Sequence, residues 1–123
     1  MASRAARILV VEDDNRLLAV LEDVLRGEGY EMQTARDGIA AIRRLLTFRP
    51  EVVLLDLEMP GMNGHEFMAW MMENAVQIPV LVASCNDDVK PADLGVAGKI
   101  SKPYDLDQLL AAIAAITPRE IVH

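Results

Sequence analysis

Three short apolar runs set the first constraint on this chain: Ile8-Leu-Val-Val11, Val52-Val-Leu-Leu55 and Val80-Leu-Val-Ala83. Each has the length of a strand, is rich in β-branched residues and shows no alternation with polar residues. A strand exposed on one face would alternate, so these runs read as strands covered on both faces, as in a parallel sheet. Between them, apolar residues recur at helical spacing: Leu17, Leu21, Val24 and Leu25, then Ile39, Ile42, Leu45 and Leu46, then Phe67, Trp70 and Met71. These predict amphipathic helices. A weaker strand is expected over Tyr30 to Thr34 and a short fifth over Gly98 to Ser101. The last helix is announced by Asp105 with Gln108 three residues later, a capping-box spacing, and carries Leu106, Leu109, Leu110, Ile113 and Ile116 on one face. Asn15 and Asp37 mark two earlier helix starts, and Gly27 and Gly29 bracket the end of the first helix. Alternating strands and helices joined by right-handed crossovers give an α/β fold, a doubly wound parallel sheet with helices on both faces.

A length of 123 residues suits a single domain over 1–123, with its core at about 7–116 and a polar tail at 117–123 that is expected to fray. Aromatic residues make up only 4%, so Ala, Leu, Val and Ile must build the core. A net charge of −7 repels a phosphate backbone, which argues against direct nucleic-acid binding. The single Cys85 cannot form an internal disulfide, and Ile8 to Val11 is too short for a signal or membrane segment. The expected location is the cytoplasm, with no membrane partner.

In a doubly wound sheet the ligand site lies outside the carboxyl ends of the strands. There the first strand runs into Glu12-Asp13-Asp14, the third into Asp56, the fourth into Ser84 and the fifth into Lys102-Pro103. Carboxylates so gathered repel, by roughly 4 kcal/mol for two charges ~4 Å apart at an effective dielectric of about 20, so a cation is expected among them. An all-oxygen donor set with few protein ligands favours Mg²⁺ over Ca²⁺, and neither histidine lies near this edge to favour zinc. With the cluster partly neutralised, the Asp56 carboxylate can attack a phosphoryl group, whose charge the metal, the Lys102 ammonium and the Ser84 hydroxyl would meet. An acyl phosphate on Asp56 would carry up to about two negative charges and three acceptor oxygens, enough to reposition Ser84 and nearby backbone.

The stretches "ILVVEDD", "VVLLDLEMPGMNG", "IPVLVAS" and "SKP", in this order, resemble the receiver domain of two-component response regulators over roughly Arg7 to Ile116. The resemblance implies a flavodoxin-like sheet of order 2-1-3-4-5. It implies Asp56 as phospho-acceptor, Asp13 as a direct Mg²⁺ ligand, Glu12 as a residue helping to hold the metal, and Glu58 contributing its main-chain carbonyl. Ser84 stands where the family has Thr or Ser, and Lys102 is the family's lysine, followed by Pro103 in a peptide bond that is usually cis. The implied donor is a phospho-histidine on a sensor histidine kinase or a phosphotransfer protein, and small acyl phosphates can substitute. The implied class is a regulatory phospho-acceptor and not an enzyme, with at most self-catalysed phosphorylation and dephosphorylation.

Two departures stand out. The segment from Ser84 to Lys102 is shorter than usual by roughly four residues, about one helical turn. It holds Pro91, Gly95 and Gly98, so helix four is expected to be a turn or missing. Lys99 occupies the position where the family commonly has the aromatic residue of its switch. Both changes fall on the face of helix four, strand five and helix five, which the family commonly uses for downstream protein partners.

Taken singly, each site residue has an ordinary structural reading. Glu12-Asp13-Asp14 suits a helix N-terminus, Asp56 a turn before Pro60-Gly61, Lys102 a solvated edge and Ser84 a strand end. Their joint placement at four strand ends, in the family's order, favours function. His65 reads as a surface residue, Cys85 as packing beside the site, and Met59, Met62, Met68, Met71, Met72 and Trp70 as packing of the third helix and its preceding loop. Two functions from different classes follow: a stand-alone receiver switched by phosphorylation, and a phosphorylation-independent interaction module that retains the acidic site. A small-metabolite aspartyl-phosphate hydrolase is weaker, because Glu58 stands where such enzymes generally carry a second Asp. "ITPRE" at the end resembles the opening of an output domain only faintly.

Overall fold

The computed structural model describes residues 6–59, 64–86, 88 and 90–117. Its elements run β1 (Arg7–Val11), α1 (Asn15–Gly27), β2 (Glu31–Ala35), α2 (Gly38–Thr47), β3 (Val52–Asp56), α3 (Gly64–Glu73), β4 (Val80–Ser84), α4 (Pro91–Leu94), β5 (Gly98–Ser101) and α5 (Leu106–Ile116). The strands form one parallel sheet in the order β2-β1-β3-β4-β5, as the resemblance implied.

Pleating explains the unalternating runs. Ile8 and Val10 of β1, Val52 and Leu54 of β3 and Leu81 of β4 point to one face, where Leu18, Leu21 and Leu25 of α1 and Leu109 and Ile113 of α5 cover them. Leu9, Val11, Val53, Leu55, Val80 and Val82 point to the other, under Ala41 and Leu45 of α2 and Phe67 and Met71 of α3. Both faces are therefore dry, and every position of β3 and β4 is buried.

Several local expectations are adjusted. β2 starts one residue later than expected. α1 begins at Asn15, but its N-cap is Asp14, whose carboxylate accepts from the Arg16 and Leu17 amides. On α1, Leu18 is buried while Leu17 is only half-buried. The stripe that α2 buries is Gly38, Ala41 and Leu45, whereas Ile39 and Leu46 face solvent. Small residues let α2 approach the sheet, and hydropathy alone does not show that. Asp37 and Asp105 cap α2 and α5 as expected, accepting from the Ala40 and Gln108 amides at 2.7 and 3.1 Å. α4 survives as four residues, opened by Pro91 and closed by Gly95 at φ 66°. Pro60, Gly61, Met62 and the "PRE" of the C-terminal segment lie outside the described residues.

Candidate functional site at the carboxyl edge of the sheet

Ends of the central strands bring the expected residues together. Asp56 is the last residue of β3 and Ser84 the last of β4, while Glu12 follows β1 and Lys102 follows β5 directly. Glu12, Asp56 and Ser84 are the buried polar residues of the domain among those described. With Asp13, Asp14, Leu17, Glu58, Pro103 and Tyr104, the two acids and Lys102 line a cleft of about 350 Å³. A larger, apolar cleft between the end of α3 and the start of β5 lies at the opposite edge of the sheet and holds none of these residues.

Lys102 is the electrostatic centre of the cleft. Its Nζ lies 2.7 Å from Asp56 Oδ1 and 3.6 Å from Glu12 Oε1. Burial lowers the Lys102 pKa, but Asp56, Glu12 and Glu58 outweigh it and hold the ammonium above its usual value. Asp56 Oδ1 also accepts the Glu58 amide at 2.9 Å, an Asx-type turn that fixes the start of the β3–α3 loop. The Lys102–Pro103 peptide bond is cis.

Glu12 is held by the chain that follows it. Its Oε2 accepts the Asp13 and Asp14 amides at 3.0 and 3.2 Å. Its Oε1 is buried without a hydrogen-bond partner, because Lys102 at 3.6 Å is too distant to donate. Burial first, and the Asp56 carboxylate second, push the Glu12 pKa up to about 7. An unsatisfied carboxylate oxygen in a dry site costs free energy that a bound cation would offset. Glu12, Asp13 and Asp56, which all line the cleft, each offer an oxygen within 4.8 Å of the others, a hard donor set. The residues present therefore fit Mg²⁺.

The resemblance implied a role for the Glu58 carbonyl; its side chain is engaged as well, Oε1 accepting the Ser84 hydroxyl at 3.1 Å and the Cys85 amide at 2.5 Å. Ser84 Oγ in turn accepts the Asn86 amide at 3.0 Å, and Asn86 O accepts Lys99 Nζ at 2.7 Å. Lys99 thus ties β5 to the loop after β4. Cys85 is exposed, which corrects the expectation that it packs beside the site; its backbone, not its thiol, is engaged. His65 is exposed as expected, and Phe67, Met71 and Met59 pack while Met72 does not.

Two neighbours of the site were not singled out from sequence as part of it. Tyr104 lines the cleft, where burial and the surrounding acids push its phenol pKa up and keep it neutral. Arg36, the residue after β2, donates to the Asp13 carbonyl at 3.3 Å. Its signal was its place at the same carboxyl edge as the other site residues.

A parallel sheet of order 2-1-3-4-5 with acids, a hydroxyl and a lysine at its central carboxyl edge defines a class, and the family model for the response regulator receiver domain matches residues 8–114. The chain belongs to that family. It is similar to the transcriptional regulatory protein PrrA of Mycobacterium leprae, 38% identical over 117 residues that cover 92% of this chain and 50% of the relative. It is also similar to the response regulator MprA of Mycobacterium sp. strain KMS, at 33% over 92% of this chain and 51% of the relative. The chain therefore spans about half the length of these curated relatives. Among solved structures, the signal receiver domain of a response regulator from Bermanella marisrubri superposes with a TM-score of 0.84 at 34% identity, covering 92% of this chain and 98% of that one. The chemotaxis response regulator CheY4 of Vibrio cholerae gives 0.81 at 27%, with coverage of 92% and 99%.

Proposed function

We propose that this domain accepts a phosphoryl group on Asp56 from a sensor histidine kinase or a phosphotransfer protein in the cytoplasm, and that the modified domain engages a downstream protein. The observation that carries this reading is the buried Asp56 carboxylate at a strand end, 2.7 Å from Lys102 and grouped with Glu12 and Asp13. An Asp56 oxygen attacks phosphorus; an O–P bond forms, and the P–N bond of a phospho-histidine or the P–O bond of an acyl phosphate breaks, its electron pair leaving with the donor. Lys102 and the Ser84 hydroxyl stabilise the charge on the phosphoryl oxygens. Glu12, Asp13 and Asp56, with the Glu58 carbonyl, would hold Mg²⁺, which when bound supplies positive charge for both the acids and the transferring group. The role is regulatory, with at most self-catalysed gain and loss of the phosphoryl group.

Downstream, the product's oxygens draw on Ser84, and the Ser84–Asn86–Lys99 contacts lead from there to β5. The partner surface is accordingly the α4–β5–α5 face. Borohydride reduction after incubation with acetyl phosphate and Mg²⁺ tests the acceptor directly. Conversion of Asp56 to homoserine is expected; homoserine at another acid, or none, would refute the assignment.

A further inference from the structure

Under the phospho-acceptor reading, on which this inference rests, the Ser84 hydroxyl and the amide beside it join Lys102 as donors to a phosphoryl group on Asp56. The hydroxyl and the amide are already spent. Ser84 Oγ donates to Glu58 Oε1 at 3.1 Å, and the Cys85 amide donates to the same oxygen at 2.5 Å. The amide of Glu58 is itself bonded to Asp56 Oδ1 at 2.9 Å, so this carboxylate is anchored two residues from the acceptor. Glu58 is solvent-exposed as a residue, so it can swing out without unpacking the core.

We infer that the Glu58 carboxylate is an internal competitor for the incoming phosphoryl group, a latch that holds Ser84 and the Cys85 amide in the unmodified position until a stronger anion displaces it. An anionic acceptor of two hydrogen bonds stands in for the phosphoryl oxygens at lower charge. Occupying those donors favours the resting arrangement, and through the Asn86 amide on Ser84 Oγ and Lys99 on Asn86 O it fixes the β4–α4 loop against β5. Glu58 is then a positioning residue that sets how readily the domain switches. The sequence could not show this, because Glu58 and Cys85 lie 27 residues apart.

The test titrates wild type, Glu58→Ala, Glu58→Gln and Asp56→Asn with beryllofluoride and Mg²⁺, and measures amide hydrogen exchange at Cys85 before and after. Without the fluoride complex, the Cys85 amide should be protected in wild type and in Glu58→Gln, which keeps an acceptor oxygen, and should exchange faster in Glu58→Ala. That arm needs no phospho-acceptor chemistry, so it judges the latch by itself. Removing a charge-assisted acceptor should tighten beryllofluoride binding about tenfold in Glu58→Ala. Glu58→Gln should bind less tightly than Glu58→Ala. Equal affinity in wild type and Glu58→Ala would overturn the latch, and so would unchanged Cys85 exchange. Equal tightening in Glu58→Gln and Glu58→Ala would overturn it in favour of simple charge repulsion. Beryllofluoride binding that is absent from wild type, or retained in Asp56→Asn, would instead overturn the phospho-acceptor reading, and the competitor role with it.

Discussion

Asp56 ends a strand whose other residues are all apolar and buried, a position where a carboxylate is costly unless charge surrounds it. Lys102 supplies that charge, and removing it leaves Asp56 and Glu12 as buried acids without a cation. Lys102→Ala should retain metal-dependent labelling of Asp56 at a reduced rate but lose the structural response; the chemical shift of the Asn86 amide on adding beryllofluoride should stay near its resting value. A full wild-type response would remove Lys102 from the mechanism. Glu12 offers a second check. Its folded pKa of about 7 lies above its unfolded 4.5, so the stability it contributes is fully present below the unfolded value and is lost as pH rises through about 7. Urea midpoints of the metal-free protein should fall across that window more steeply than those of Glu12→Gln. Mg²⁺ competes with the same proton, so calorimetry in buffers of different ionisation heat should find protons released on binding near pH ~6.5 and few near pH ~9. Equal slopes in both proteins would show that Glu12 does not carry the effect.

Among the elements, α3 is placed by a residue that the hydropathy pattern passes over. A Cβ on Gly64 would meet Leu57 Cδ2 at 2.6 Å, Leu57 Cα at 2.9 Å and the Asp56 carbonyl at 3.2 Å, so the helix can start against the end of β3 only because no side chain is there. Gly64→Ala should cost about 1–3 kcal/mol, read from the urea midpoint, and slow Asp56 labelling because the backbone that must yield carries the acceptor. A variant as stable and as reactive as wild type would show that this contact gives way freely. What the sequence reveals follows the same division. Runs such as Val52 to Leu55 disclose a strand buried on both faces, and the polar residues that end or directly follow the strands disclose the site edge. Ile39 and Leu46 misread as core because Gly38 and Ala41 take the close-packed positions of α2, where small size outweighs hydropathy. The short α4 was legible from Pro91 and Gly95. The Glu58 contacts were not, since only the folded sheet brings the ends of β3 and β4 side by side.

At the scale of the molecule, α1 and α5 cover one face of the sheet and α2 and α3 the other, leaving the carboxyl edge as the place where a polar site can gather. No helix among the described residues is long and apolar enough to cross a membrane. The receiver domain is a two-sided apolar core with a charged rim at the carboxyl edge of its sheet. One part of that rim, the loop between β4 and α4, is linked by side chains both to the Asp56 region and to β5. The proposed chemistry of this rim is phosphoryl acceptance at Asp56 with Mg²⁺. Intact-protein mass after incubation with acetyl phosphate tests it most directly, with and without Mg²⁺ and beside Asp56→Asn. A gain of one phosphoryl group that requires the metal and is absent from Asp56→Asn is expected. An unchanged mass under all conditions, or a gain that Asp56→Asn retains, would refute Asp56 as the phospho-acceptor.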